Sequence, residues 1–159
     1  MKRLRRTRRG GFSLLEVVIV VAIIAILAAI GIPRMSRGSK GAGDSALSGD
    51  LAVLRNAIDL YAAEHGGTFP TAANVSNQLT QYTDVTASTV SESKTATCIY
   101  GPYMRSIPPL PVGSNKGDAG ISANPADPNT GWVYTEASGS IKANTTTEAD
   151  DADKLYNTY

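Results

Sequence analysis

Hydrophobic positions fall into three regimes along the chain. Residues 12–32 read FSLLEVVIVVAIIAILAAIGI and hold a single charge, Glu16. No polar stripe interrupts the apolar residues at helical period, so a helix here meets apolar surroundings on every side. It would be about 31 Å long at 1.5 Å per residue, enough to cross a bilayer core. Farther on, Leu47, Leu51, Leu54, Ile58 and Tyr61 recur at steps of four, three, four and three. Asp50, Arg55, Asn56 and Asp59 fall off that line. This predicts an amphipathic helix with one core-facing stripe. Gly38, Gly41 and Gly43 lie between the two apolar stretches. Each costs about 1 kcal/mol of helix propensity relative to Ala, so this part of the helix can bend. Gly66-Gly67 ends the helix near residue 65, with Pro70 beyond it.

The third regime is shorter in period. Val75, Leu79 and Tyr82 suggest a short helix packed on the rest. Residues 84–97 are rich in Ser and Thr and read as an exposed loop. A short strand is predicted over 97–100 and a second over 103–107, with Gly101-Pro102 between them. Residues 112–130 read as loop. Large residues alternate over 131–136, residues 137–139 turn, and 140–143 return, which predicts a hairpin. Trp132 and Tyr134 share one face of it, as core anchors or as an intersubunit contact. The fold class is therefore α+β: a long N-terminal helix, apolar in one half and amphipathic in the other, packed on a small antiparallel sheet.

Charge adds a direction. Six basic residues (Lys2, Arg3, Arg5, Arg6, Arg8, Arg9) precede the apolar run, against three just after it (Arg34, Arg37, Lys40). That bias keeps the N-terminus cytoplasmic and sends the remainder out. Residues 12–159 carry nine basic and 14 acidic side chains, a balance unsuited to neutralising nucleic-acid phosphates. A secretory signal peptide would explain the basic start, with Ala29-Ile30-Gly31 as a cleavage site. Its apolar region is normally about 7–15 residues long, however, and lacks a carboxylate. A twin-arginine signal would use Arg8-Arg9, but two glycines separate the pair from Phe12. A plain membrane anchor explains length and asymmetry and leaves Glu16 without purpose. A carboxylate at the centre of a bilayer costs about 2.5–3.5 kcal/mol on insertion scales, so an intramembrane acid implies a partner. No Lys, Arg or His lies between Phe12 and Pro33. The counter-charge must come from another molecule or from a newly made chain end. A cut between Gly11 and Phe12 would create an amine four residues before Glu16.

Gly11-Phe12-Ser13-Leu14-Leu15-Glu16-Val17 resembles the processing site of type IV pilins and of the pseudopilins of type II secretion systems. The resemblance implies a basic leader of residues 1–11, removed by a membrane prepilin peptidase that methylates the new Phe12 amine. It implies that Glu16, fifth in the mature chain, directs assembly, and that Pro33 is the family's proline at the twenty-second mature position. A proline there also simply kinks or ends a helix. Residues 12–33 would then be the membrane-spanning and polymerisation helix, and 34–159 an extracytoplasmic head. Leu54-Arg55-Asn56-Ala57-Ile58, Tyr61, Glu64, Gly66 and Phe69-Pro70-Thr71 resemble the end of the long helix in major pseudopilins. Asp127-Pro128-Asn129-Thr130-Gly131-Trp132-Val133-Tyr134 departs from their usual Asp-Pro-Trp-Gly-x-Pro-Tyr run. The implied function is a structural subunit of a pseudopilus driving type II protein secretion, not an enzyme. Its partners would be further copies of itself, other pseudopilins, the peptidase, an inner-membrane assembly platform and, before assembly, lipid. A type IV pilin for adhesion, motility or DNA uptake is the alternative. A membrane-anchored binding module or enzyme is the alternative of another class.

Candidate chemistry elsewhere is sparse. Glu148, Asp150, Asp151 and Asp153 form an acidic run near the C-terminus. Calcium wants several oxygen ligands, and major pseudopilins bind it near their C-terminus, so Asp150, Asp151 and Asp153 are the candidate ligands. Such a run is equally a solvated face. His65, the only histidine, sits at a helix C-terminus and reads as a cap. Cys98 is the only cysteine, which excludes an intrachain disulfide; it reads as a buried apolar residue. Zincin, P-loop, nucleophile-elbow and paired-cysteine motifs are absent.

Overall fold

The computed structural model describes residues 11–125 and 127–159, without the side chains of 31–39. Residues 1–10 of the expected leader therefore lie outside the described residues. The chain divides into two compact units, residues 1–39 and 40–159. Helix α1, Leu14–Glu64, contributes to both.

In the first unit, residues 14–30 are helical and residues 11–13 are not. Phe12 is 84% exposed, and every large apolar side chain from Leu14 to Ile30 is at least 50% exposed. Among the described residues no helix is long and apolar enough to cross a membrane. The described apolar part, 14–30, measures about 25 Å at 1.5 Å per residue, against about 30 Å of hydrocarbon. Of the rest of the expected span, residues 12–13 precede the helix and residues 31–33 fall in the stretch whose side chains are not described.

In the second unit the helical stripe becomes the core. Leu47, Leu51, Leu54, Ile58 and Tyr61 are buried to 1% exposure or less, while Arg55, Asn56 and Asp59 stay in solvent. Full burial of each aliphatic member contributes about 1.5–3 kcal/mol. Gly66, at φ +65, supplies the left-handed residue that ends α1, and the Gly67 N–H donates to the Ala62 carbonyl at 2.8 Å. Helix α2, Val75–Thr80, follows and buries Val75, Gln78 and Leu79. Gln78 tolerates burial because every end is bonded. Its Oε1 accepts from the Thr71 N–H at 2.8 Å, and its Nε2 donates to the Ala87 carbonyl at 3.0 Å.

Two sheets complete this unit. Strands β1 (Tyr82–Thr83) and β2 (Val90–Ser91) pair antiparallel. The second sheet has the order β3-β4-β5, from Ile121–Ser122, Trp132–Thr135 and Ser140–Ala143. The expected hairpin is present, with Trp132 opposite Ala143 and Thr135 opposite Ser140. Gly139, at φ +66, forms its turn. The sheet is mixed rather than purely antiparallel, because β3 runs parallel to β4. The intervening Pro- and Asn-rich segment crosses over instead of turning back. It is tied down by Asn144, whose Nδ2 donates to the carbonyls of Asp127 at 2.8 Å and Thr130 at 2.9 Å.

Other expectations shift. The loop over 84–97 contains β2, because Asp84 closes a turn. Its carboxylate accepts from Thr86 Oγ1 at 2.7 Å and from the Thr89 N–H at 3.0 Å. The strands expected over 97–100 and 103–107 do not form. Tyr100 makes one bridge to Thr83, and the N–H groups of Tyr103 and Met104 both donate to the Leu79 carbonyl. Gly101, at φ +74, breaks the extended run between them. Trp132 and Tyr134 are core anchors, 0% and 1% exposed. Trp132 Nε1–H donates to the Pro108 carbonyl at 2.8 Å and Tyr134 O–H to the Pro70 carbonyl at 2.9 Å.

Gly131 is required by close approach: a Cβ there would lie 2.0 Å from the Asp118 carbonyl oxygen. Gly131→Ala is therefore expected to destabilise the fold by about 1–3 kcal/mol, the usual range for overpacking. Gly49→Ala, in α1 with nothing within 4 Å, should stabilise it by up to about 1 kcal/mol. Urea unfolding of the two variants checks the pair; equal midpoints would refute the packing argument.

Candidate functional site

The N-terminal site starts from where α1 begins. The first intrahelical bond runs from the Val17 N–H to the Ser13 carbonyl at 3.2 Å. Leu14 is thus the first helical residue, and the Ser13 carbonyl accepts at the helix start. Gly11 and Phe12 precede the helix, and a Cβ added at Gly11 would meet nothing within 4 Å. Glu16 lies exposed in the first turn of α1, where the aligned peptide dipoles favour a negative charge. Pro33 falls inside α1, but its side chain lies outside the described residues.

The acidic run near the C-terminus is not gathered into one site. The Asp150 carboxylate accepts from the N–H groups of Ala152 at 2.8 Å and Lys154 at 2.9 Å, and from the Tyr159 hydroxyl. Asp151 pairs with Lys40 at 3.3 Å on the surface. Asp153, exposed, adopts φ +61. Glu148 accepts from the Ser114 N–H at 2.6 Å. Among the described residues no group of three or more His, Cys, Asp or Glu is placed to hold a metal ion.

Asp150 instead fastens the C-terminal segment. The Tyr159 hydroxyl and the Lys154 N–H hold the Asp150 carboxyl below the usual carboxylate range. The same bond pushes the Tyr159 hydroxyl up to about 12. Lys154 Nζ sits 3.6 Å from the Tyr159 ring centre, and Arg55 donates to the Tyr159 carbonyl at 2.5 Å.

His65 is buried at the end of α1. Its Nδ1 lies 2.8 Å from the Tyr61 carbonyl, and its Nε2 lies 3.1 Å from the Asp84 carbonyl and 3.2 Å from Thr83 Oγ1. The ring stacks on Tyr61 at 4.0 Å. It thus caps a carbonyl of the last turn and links that turn to β1. Cys98 is buried, 2% exposed.

Comparison with known proteins converges on the same end of the chain. Residues 6–32 match the family model described as the prokaryotic N-terminal methylation motif. That motif is the signature of type IV pilin-like proteins, pseudopilins included. Residues 14–32 of the match lie in α1, and a long N-terminal helix with small sheets is consistent with the pilin-like fold. The motif implies processing by prepilin peptidase and assembly into filaments. No curated protein and no solved structure matches the chain.

The Asp150 contacts give a pH dependence of known sign. A carboxyl held low in the folded state contributes stability above its ordinary range, and that contribution disappears as pH falls through the folded value. Tyr159→Phe should move the Asp150 titration, followed by carboxyl NMR, upward toward the ordinary range. Asp150→Asn should remove this part of the acid dependence from urea midpoints taken between neutral pH and the acid limb. An unmoved Asp150 titration in Tyr159→Phe would show that the hydroxyl is not the cause.

Proposed function

We propose that the chain is the precursor of a pseudopilus subunit serving type II protein secretion, with a structural rather than an enzymatic role. Prepilin peptidase cuts between Gly11 and Phe12, and Phe12 becomes the methylated N-terminus. The mature subunit waits as a single-pass inner-membrane protein with its head on the extracytoplasmic side. It then polymerises through residues 12–33, and Glu16 pairs with the N-terminal amine of a neighbouring copy. The assembly platform and other pseudopilins complete the machine.

One observation carries this reading: an apolar helix whose large side chains are exposed among the described residues starts beside a Gly-Phe junction and holds one carboxylate in its first turn. Thirteen large apolar side chains between Phe12 and Ile30 are at least half exposed among the described residues. At about half of the 1.5–3 kcal/mol that full burial of one such side chain is worth, covering what remains exposed contributes roughly 10–20 kcal/mol. Carrying Glu16 into the apolar layer costs about 2.5–3.5 kcal/mol on insertion scales. Burial wins whether or not the acid is paired, so the pairing sets register between copies rather than driving insertion. The type IV pilin reading shares all of this. Many such pilins close a C-terminal disulfide loop, and the single, buried Cys98 cannot form one within the chain, which favours the pseudopilus.

Intact mass and N-terminal sequencing of the native protein should show a start at methylated Phe12. Glu16→Leu should leave the subunit in the membrane fraction and abolish filaments seen by electron microscopy. Normal filaments with Leu at this position would refute the charge-pairing mechanism, and a start near Ile32 would replace the filament reading with an exported protein.

A further inference from the structure

We propose that the C-terminal strap, residues 148–159, closes on the head without a divalent cation, because donors of the chain itself occupy the carboxylates that a calcium ion would need. The resemblance to major pseudopilins points the other way, with Asp150, Asp151 and Asp153 as the ligands. The polarity of the turn decides between the two.

A calcium site presents oxygen atoms inward, about six to eight of them at roughly 2.3–2.6 Å from the ion. The turn from Asp150 to Lys154 presents N–H groups instead. Asp150 Oδ1 accepts from the N–H groups of Ala152 at 2.8 Å and Lys154 at 2.9 Å. Its Oδ2 accepts from the Tyr159 hydroxyl. Both carboxylate oxygens are thus engaged, and the N–H dipoles turn their positive ends toward the place an ion would take. Two backbone carbonyls of the turn are engaged as well. That of Asp150 accepts from the Asp153 N–H at 3.2 Å, and that of Lys154 from the Asp150 N–H at 3.0 Å.

The nearby charges act in the same direction. Lys40 Nζ lies 3.3 Å from the Asp151 carboxylate, and Lys154 Nζ lies 3.6 Å from the centre of the Tyr159 ring. Both ammonium groups oppose a dication at either aspartate. The exposed Lys40–Asp151 pair adds little stability by itself; its part is to keep a positive charge beside Asp151. Closure is supplied by other means. The Tyr156 N–H donates to the Glu148 carbonyl at 3.0 Å, Ala149 bridges to Leu155, and the Tyr156 ring is buried in the core. A subunit built this way keeps its strap closed in a medium poor in calcium.

The test compares the full chain in detergent in EGTA and in calcium chloride at about 10 mM, well above the roughly 0.1–1 mM affinities of extracellular calcium modules. Carboxyl NMR shifts of Asp150, Asp151 and Asp153 should be the same in both media. Amide exchange at Asp150 and Tyr156, whose N–H groups close the strap, should agree to within about twofold. Asp150→Ala should speed exchange at Tyr156 by about tenfold or more in both media, the factor for losing hydrogen bonds to a charged group. A shift of the Asp150 or Asp151 carboxyl on adding calcium, or exchange at Tyr156 slowed by calcium, would overturn the proposal. So would parental exchange at Tyr156 in Asp150→Ala, since the donors around Asp150 would then not be what holds the strap.

Discussion

An apolar helix must be covered, and the cover can come from the same chain or from outside it. In residues 40–159 the chain supplies it. Leu47, Leu51, Leu54, Ile58 and Tyr61 form one stripe, and Trp132, Tyr134, Ile141, Leu79 and Tyr156 join the same core. In residues 14–30 the apolar side chains go all the way round, and a one-sided cover would not satisfy them. Lipid or a bundle of identical helices would, since each surrounds the helix. The change from an all-round to a one-sided apolar pattern along α1 is the physical basis of the proposed subunit, with one part to be covered from outside and one part covered by its own chain.

The elements that were legible in the sequence are those specified by local period. The stripe of α1 and the β4–β5 hairpin are of this kind, and both have glycines at their ends that adopt left-handed backbone. What was not legible depends on distant partners. Strand β3 is only Ile121–Ser122, and its parallel pairing needs Gly131 to lie against Asp118 and Asn144 to tie the crossover. Strand β2 hides in a Ser/Thr-rich stretch because the Asp84 turn, not hydrophobicity, brings it back to β1. Residues 103–107 have the composition of a strand, yet the N–H groups of Tyr103 and Met104 go to the end of α2.

The two candidate sites differ in the same way. Gly11, Phe12 and Glu16 stood out because a lone acid in an apolar run conflicts with its surroundings, and such a conflict is visible without a structure. Asp150, Asp151 and Asp153 stood out only as a run of like charges. A run does not say where each carboxylate points. Here Asp150 turns to backbone N–H groups and Tyr159, and Asp151 turns to Lys40, so three neighbours in sequence have separate surroundings.

The Asp84 turn closes on itself. Its carboxylate is met by Thr86, Ser88 and the Thr89 N–H, all within five residues, while Val85 and Thr86 remain exposed. The turn's carboxylate is satisfied from within, and its backbone is tied to the body by Gln78 at the Ala87 carbonyl and by His65 at the Asp84 carbonyl, so the exposed Val85 carries no part of that attachment. That makes the tip beyond Asp84 a natural place to graft a short epitope or a labelling cysteine. A probe placed there would ride on the head at a distance from both the N-terminal helix start and the fastened C-terminal segment in sequence, and would report where subunits go without altering how they are built.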